Sequence, residues 1–126
     1  MRKPTILIAD DDYGNRFPLV ALFEDYGYHV EQAESKQEVL QVAQKADVWI
    51  IDARLPTLDL EGIEAVGELV SKGTVPQYTV FFMSVISQES AAAKLATLGI
   101  SYEWLEKPFE PQFLFEKIRS LPPKVG

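Results

Sequence analysis

Five times along the 126-residue chain, a short apolar run gives way to a segment whose apolar positions recur at helical spacing. Thr5 to Ala9 (TILIA), Tyr28 to Ala33, Val48 to Asp52 (VWIID), Thr79 to Met83 (TVFFM) and Tyr102 to Glu106 read as strands. The third is apolar at every position before Asp52, without the polar alternation of a strand wetted on one face. That pattern suits a strand buried on both faces of a parallel sheet, and Pro56 shuts off regular pairing soon after. The fifth run is less apolar and suits an edge.

Between the strands, Leu19, Val20, Leu22, Phe23 and Tyr26 predict a helix from about Asn15 to Tyr26, with Gly27 as its stop. Pro18 is expected in its first turn, where a missing N–H is tolerated; one turn later it costs about 3 kcal/mol. Ser35 followed by Glu38 predicts a capping box opening a helix to about Gln44, with Val39, Leu40 and Ala43 inward. A loop from Pro56 to Asp59 leads to a helix from about Leu60 to Ser71 that turns Ile63, Val66 and Val70 inward and ends at Gly73. An Ala-rich helix spans Ser87 to Leu98, closed by Gly99. Pro111 opens a last helix in which Phe113, Leu114, Lys117, Ile118 and Leu121 mix core and surface, and Pro122 and Pro123 stop it. Phe109 and Phe113, at helical spacing, read as core, and His29 as exposed.

Five β-then-α units predict one α/β domain over residues 1–126, a doubly wound parallel sheet with helices on both faces. The flavodoxin-like order 2-1-3-4-5 puts the first and third strands side by side where the order reverses, and open α/β sheets hold ligands at that point, beyond the carboxyl ends of the strands. Asp10, Asp11 and Asp12 would then share one crevice with Asp52. Composition narrows the chemistry. The chain has no cysteine, which removes disulfides, thiol nucleophiles and cysteine metal sites and fits a reducing compartment. A formal net charge of −7, with no Lys/Arg cluster, works against direct binding of nucleic acid. The apolar run in MRKPTILIADDD is far too short for a signal peptide or a membrane span, so a soluble, cytoplasmic protein without membrane contact is expected.

With these residues in place, the chain resembles the receiver domains of two-component response regulators, from ILIADDD through IIDARLP and FFMS to EKPF. Carried over residue by residue, the resemblance makes Asp10 and Asp11 the acidic pair and Asp52 the phosphorylated aspartate. It makes Ser84 the hydroxyl residue after the fourth strand and Lys107 the lysine after the fifth, with a cis bond to Pro108. Carboxylates crowded into one crevice repel and need a cation, and a hard divalent ion, Mg²⁺, answers that need. Asp11, Asp52 and the Arg54 carbonyl are expected to ligate it directly, and Asp10 mainly through water. Asp52 would take a phosphoryl group from a phosphohistidine on a sensor histidine kinase or phosphotransfer protein, with Lys107 and Ser84 holding phosphoryl oxygens. The resemblance implies a regulatory phosphoacceptor rather than a turnover enzyme. It leaves open the downstream target or output domain and a phosphorylation-dependent dimer.

Three departures from the family pattern stand out. Asp59 and Gly62, usually adjacent, are separated by Leu60 and Glu61, which reads as a two-residue insertion beside the site. Val85 stands where a small residue is usual, and Ile86 is apolar where polar residues often assist hydrolysis. With Arg54, these two are expected to shield an acyl phosphate and lengthen its life. The aromatic three residues before the lysine is Trp104 instead of Tyr or Phe, a side chain large enough to put the usual inward switch in question. Alternatives remain: a pseudo-receiver that binds partners without phosphorylation, a haloacid-dehalogenase-like phosphatase using the Asp10-x-Asp12 spacing, against which Gly14 and the short chain argue, and a flavodoxin, for which no hydroxyl- or glycine-rich phosphate loop follows Ala9.

Overall fold

The computed structural model describes residues 2–54 and 60–123; the loop expected from Pro56 to Asp59 lies outside them. The elements are β1 (Ile6–Ala9), α1 (Tyr13–Asp25), β2 (Val30–Ala33), α2 (Lys36–Val42), β3 (Val48–Asp52), α3 (Glu61–Ser71), β4 (Val80–Ser84), α4 (Ala92–Leu95), β5 (Tyr102–Glu106) and α5 (Pro111–Arg119), with 3-10 turns at Ala43–Lys45 and Gln88–Ala91. The strands form one parallel sheet in the order β2-β1-β3-β4-β5, the flavodoxin-like order expected from the alternation of units.

Side chains alternate across each strand, so the apolar runs of β1, β3 and β4 supply two cores at once. Ile6, Ile8, Val48, Ile50, Phe81 and Met83 face α1 and α5, where Leu19, Phe23, Leu114 and Phe115 complete the cluster. Leu7, Ala9, Trp49, Ile51 and Phe82 face the other way, against Val39, Ile63, Val66 and Leu95. Each fully buried Ile or Phe contributes about 1.5–3 kcal/mol. The one polar atom this scheme traps, the Trp49 indole N–H, donates to the carbonyls of Ala43 and Ala46 at 3.0 and 3.3 Å.

The structure differs from the pattern-based expectation in four places. Helix α1 begins two residues early, because Asp12 caps it: its Oδ1 accepts from the N–H groups of Gly14 and Asn15 at 2.8 and 3.3 Å. Pro18 therefore stands in the second turn, one turn later than expected, and leaves the carbonyl of exposed Gly14 without its helical donor. Strand β2 starts at Val30 rather than Tyr28. Gly27 takes φ +85°, Tyr28 N–H returns to the Phe23 carbonyl (3.0 Å), and the Tyr28 ring meets Phe23 edge-on. The Ala-rich segment is not one helix: a 3-10 turn capped by Ser87 precedes a single α turn, and Thr97 and Leu98 close it with further three-residue bonds to Lys94 and Leu95. Only Ala91, Leu95 and Leu98 of this stretch reach the core. In α5 the core aromatic is Phe115, packed on Phe23, Tyr26 and Tyr28, whereas Phe113 is 51% exposed and Phe109 only partly buried. The helix is phased by its contact with α1, which turns Phe113 outward.

Candidate functional site

The carboxyl edge of the sheet gathers the polar residues that lie in line with the apolar runs. Asp10 follows β1, Asp52 ends β3, Ser84 ends β4, and Lys107 follows β5. The sheet ladder is extended past β4 by two bonds, Ala53 N–H to the Met83 carbonyl (2.9 Å) and Lys107 N–H to the Ser84 carbonyl (2.8 Å), so the backbone of Lys107 is held against the exit of β4. The peptide bond from Lys107 to Pro108 is cis, as expected. From there the Lys107 ammonium reaches across the sheet end to Asp10 Oδ2 (2.8 Å) and Asp52 Oδ2 (3.0 Å).

Asp10 is 1% exposed and Asp52 9%, whereas Asp11 is exposed to solvent. Oxygens of these three carboxylates lie within 4.8 Å of one another, a set of hard donors suited to a divalent cation. The crevice is partly compensated already. Burial alone would lower the pKa of Lys107, but its hydrogen bond to Asp10 and the charge of Asp52 outweigh that and hold it above the ordinary lysine value. One ammonium cannot neutralise three carboxylates, and a divalent cation would offset the excess negative charge.

The remaining groups take the other lone pairs. Asp10 Oδ1 accepts from Asp12 N–H (2.9 Å), and Asp52 Oδ1 accepts from Arg54 N–H (3.0 Å). Ser84 is 1% exposed, and its Oγ accepts from Ile86 N–H (3.2 Å), which leaves its own proton to donate. Asp12 does not join the group: its carboxylate is spent on the α1 cap, which removes the second carboxylate of a D-x-D phosphatase arrangement. Val85 is 69% exposed and Ile86 half-buried. Trp104 is half-buried against Phe82, and its indole N–H donates to the Ile86 carbonyl (3.2 Å). His29 is exposed, as read, and pairs with Glu31.

One residue near the site escaped the sequence reading, and the contact made by another, Gly62, was not foreseen. Arg16 is buried in α1 and bonded to the Asp10 carbonyl. Its sequence signal was its place on the helical face of Leu19, Val20 and Phe23. Gly62, near the start of α3, lies so close to Asp52 that a Cβ there would sit 2.0 Å from the Asp52 carbonyl oxygen. On the α1 side, a cleft of about 360 Å³ opens next to the carboxylates, lined by Asp10, Pro18, Val85, Lys107, Pro108 and Phe109 among others.

Comparison with known proteins places this geometry. The family model described as response regulator receiver domain matches residues 6–119. The chain is similar to the transcriptional regulatory protein CreB of Escherichia coli, 29% identical over 96% of this chain and 52% of CreB. It is likewise similar to the uncharacterized transcriptional regulatory protein YbdJ of Bacillus subtilis, 31% identical over 96% of this chain and 52% of YbdJ. The chain thus spans about half the length of these curated relatives. Among solved structures, chemotaxis protein CheY4 of Vibrio cholerae superposes with a TM-score of 0.78 at 26% identity, covering 95% of this chain and 99% of CheY4.

Proposed function

Since the chain belongs to the family of response regulator receiver domains, we propose that it is a phosphoacceptor whose acceptor is Asp52. Receiver domains act in two-component regulation and work with histidine kinases or phosphotransfer proteins. The donor here is a phosphohistidine on such a partner. An oxygen of the Asp52 carboxylate attacks phosphorus, a P–O bond forms as the P–N bond breaks, and the imidazole leaves to take up a proton. Water later cleaves the acyl phosphate and regenerates the carboxylate.

The observation that carries this reading is the single ammonium of Lys107 bonded at once to Asp10 and Asp52 beside the open Asp11 carboxylate. Asp11, Asp52 and the carbonyl of Arg54 are the residues that would hold Mg²⁺ directly, with Asp10 acting through water. The ion, when bound, offsets carboxylate charge and draws charge from the transferring phosphoryl group. Lys107 is already at Asp52 Oδ2, within reach of a phosphoryl oxygen added there, and the free Ser84 proton can be donated to another. Positioning and charge therefore do most of the work.

We read residues 1–126 as one receiver domain, regulatory rather than a turnover enzyme and acting in the cytoplasm. Among the described residues, no helix is long and apolar enough to cross a membrane. The net charge of −7 argues that this segment does not itself contact DNA, although CreB and YbdJ are named transcriptional regulatory proteins. The test is intact mass after incubation with a small acyl-phosphate donor, with and without Mg²⁺, for the wild type and Asp52→Asn. One added phosphoryl group that requires both the metal and Asp52 is expected. No gain despite separately demonstrated Mg²⁺ binding would favour the phosphorylation-independent module.

A further inference from the structure

We propose that Arg16 is a positioning residue that sets the placement of Asp10 and Asp11 for a divalent ion. This rests on the reading of these carboxylates as an ion site. The Arg16 side chain is 6% exposed, and its guanidinium makes three directed bonds. Nη1 donates to the Asp10 carbonyl at 2.6 Å, Nε to Gln32 Oε1 at 2.9 Å, and Nη2 to Glu34 Oε1 at 2.8 Å. The last two acceptors belong to β2 and the residue just after it, so the fork is anchored on the neighbouring strand and aimed at the peptide that follows β1.

That peptide joins the two acids. Its carbonyl is that of Asp10, and its plane carries the N and Cα of Asp11. Asp10 N–H is bonded to the Ala33 carbonyl (3.1 Å) and Asp10 Oδ1 to Asp12 N–H, so with Arg16 on the carbonyl the residue is held on every side. Asp11 is different. Among the described residues no group bonds to its carboxylate, and it stands exposed, so the orientation of its backbone is what aims it. Groups behind the ligands commonly change metal affinity 10–100-fold when removed. Mg²⁺ is the ion most sensitive to such placement, because it demands near-ideal octahedral geometry where Ca²⁺ tolerates irregular sets.

The sign of the effect separates positioning from charge. Arg16 is a cation beneath a cation site, so by Coulomb's law its removal should tighten ion binding. Positioning predicts the reverse. Calorimetric titration of the whole chain with MgCl₂ and with CaCl₂ reads both effects, with circular dichroism to establish folding. For Arg16→Met, the Mg²⁺ Kd is expected to rise about tenfold or more, and the Ca²⁺ Kd distinctly less. A double variant, Gln32→Met with Glu34→Met, removes both exposed acceptors while keeping the charge of Arg16, and a smaller rise, greater for Mg²⁺ than for Ca²⁺, is expected. A folded Arg16→Met chain that binds Mg²⁺ as tightly as wild type, or more tightly, overturns the proposal. Should that variant fail to fold, unchanged Mg²⁺ affinity in the double variant overturns it instead. No uptake of Mg²⁺ by the wild type would overturn the ion-site reading itself, and this inference with it.

Discussion

Two stretches of the sheet's carboxyl edge, over β1–β3 in the interior and over β4–β5, are built differently. Over β1–β3, Asp10 and Asp52 are buried, each accepts a backbone N–H, and one ammonium bridges them, with Gly62 pressed against the Asp52 backbone. Over β4–β5, Val85 is exposed, Trp104 is half-buried and tied by one bond to the Ile86 carbonyl, and α4 is a single turn. A site that must place charge to within fractions of an ångström needs rigid, over-determined ligands. A surface that must change shape needs the opposite, few buried contacts and individually weak bonds. Ser84 lies between the two regions: its hydroxyl accepts from the N–H of the same Ile86 whose carbonyl receives the Trp104 N–H.

The contrast can be broken from either side. The largest effect is expected for Lys107→Ala, which should slow Mg²⁺-dependent phosphorylation about 10²–10³-fold, by the usual cost of losing one preorganised donor; time courses with an acyl-phosphate donor measure it. Its linkage to pH has a definite sign. A lysine whose pKa is raised on folding contributes stability that is complete below the unfolded value, near ~10.4, and is lost as pH rises through the higher folded value. The stability difference between wild type and Lys107→Met should thus be level from near-neutral to mildly alkaline pH and shrink only in strong alkali, as followed by urea melts.

Gly62→Ala comes next. Because the obstacle is the Asp52 backbone rather than a flexible side chain, the substitution should cost about 3 kcal/mol or more in denaturant unfolding and displace the acceptor. On the other side, Trp104→Phe removes one N–H donor, and about 1 kcal/mol is expected, with phosphorylation rate little changed. A Trp104 fluorescence signal indifferent to phosphorylation would count against its role as a switch. The smallest effect is a change of a few-fold in dephosphorylation for Val85→Ala and Ile86→Ala, within roughly 1 kcal/mol. Equal lifetimes would end the idea that these side chains shield the acyl phosphate.

How much of this was legible in the sequence follows the physics of each element. Strand order and the placement of Asp10, Asp52, Ser84 and Lys107 could be read because buried parallel strands write unbroken apolar runs, and the functional residues sit where those runs end. Local rules failed where one residue served two readings. Asp12 looked like a third acid of the site but caps α1, and that moved Pro18 into the second turn. Phe113 and Phe115 are two residues apart on opposite sides of α5, and only packing on Phe23, Tyr26 and Tyr28 selects between them. Arg16 was invisible for a deeper reason: a buried arginine acquires meaning only from strands brought beside it by the fold, as does the contact of Gly62, which the sequence marked only by its spacing from Asp59.

The bond between Lys107 and Asp52 joins residues 55 positions apart. A chain emerging from the ribosome therefore exposes Asp52 long before it has made the cation that pairs with it. The pair is complete only once the last strand has docked, because a strand added at the far edge of a parallel sheet is a long-range contact that local structure cannot anticipate. On the proposed function, competence to receive a phosphoryl group would in this way certify completed folding, and half-folded copies would hold Asp52 without the cation that makes it an efficient acceptor.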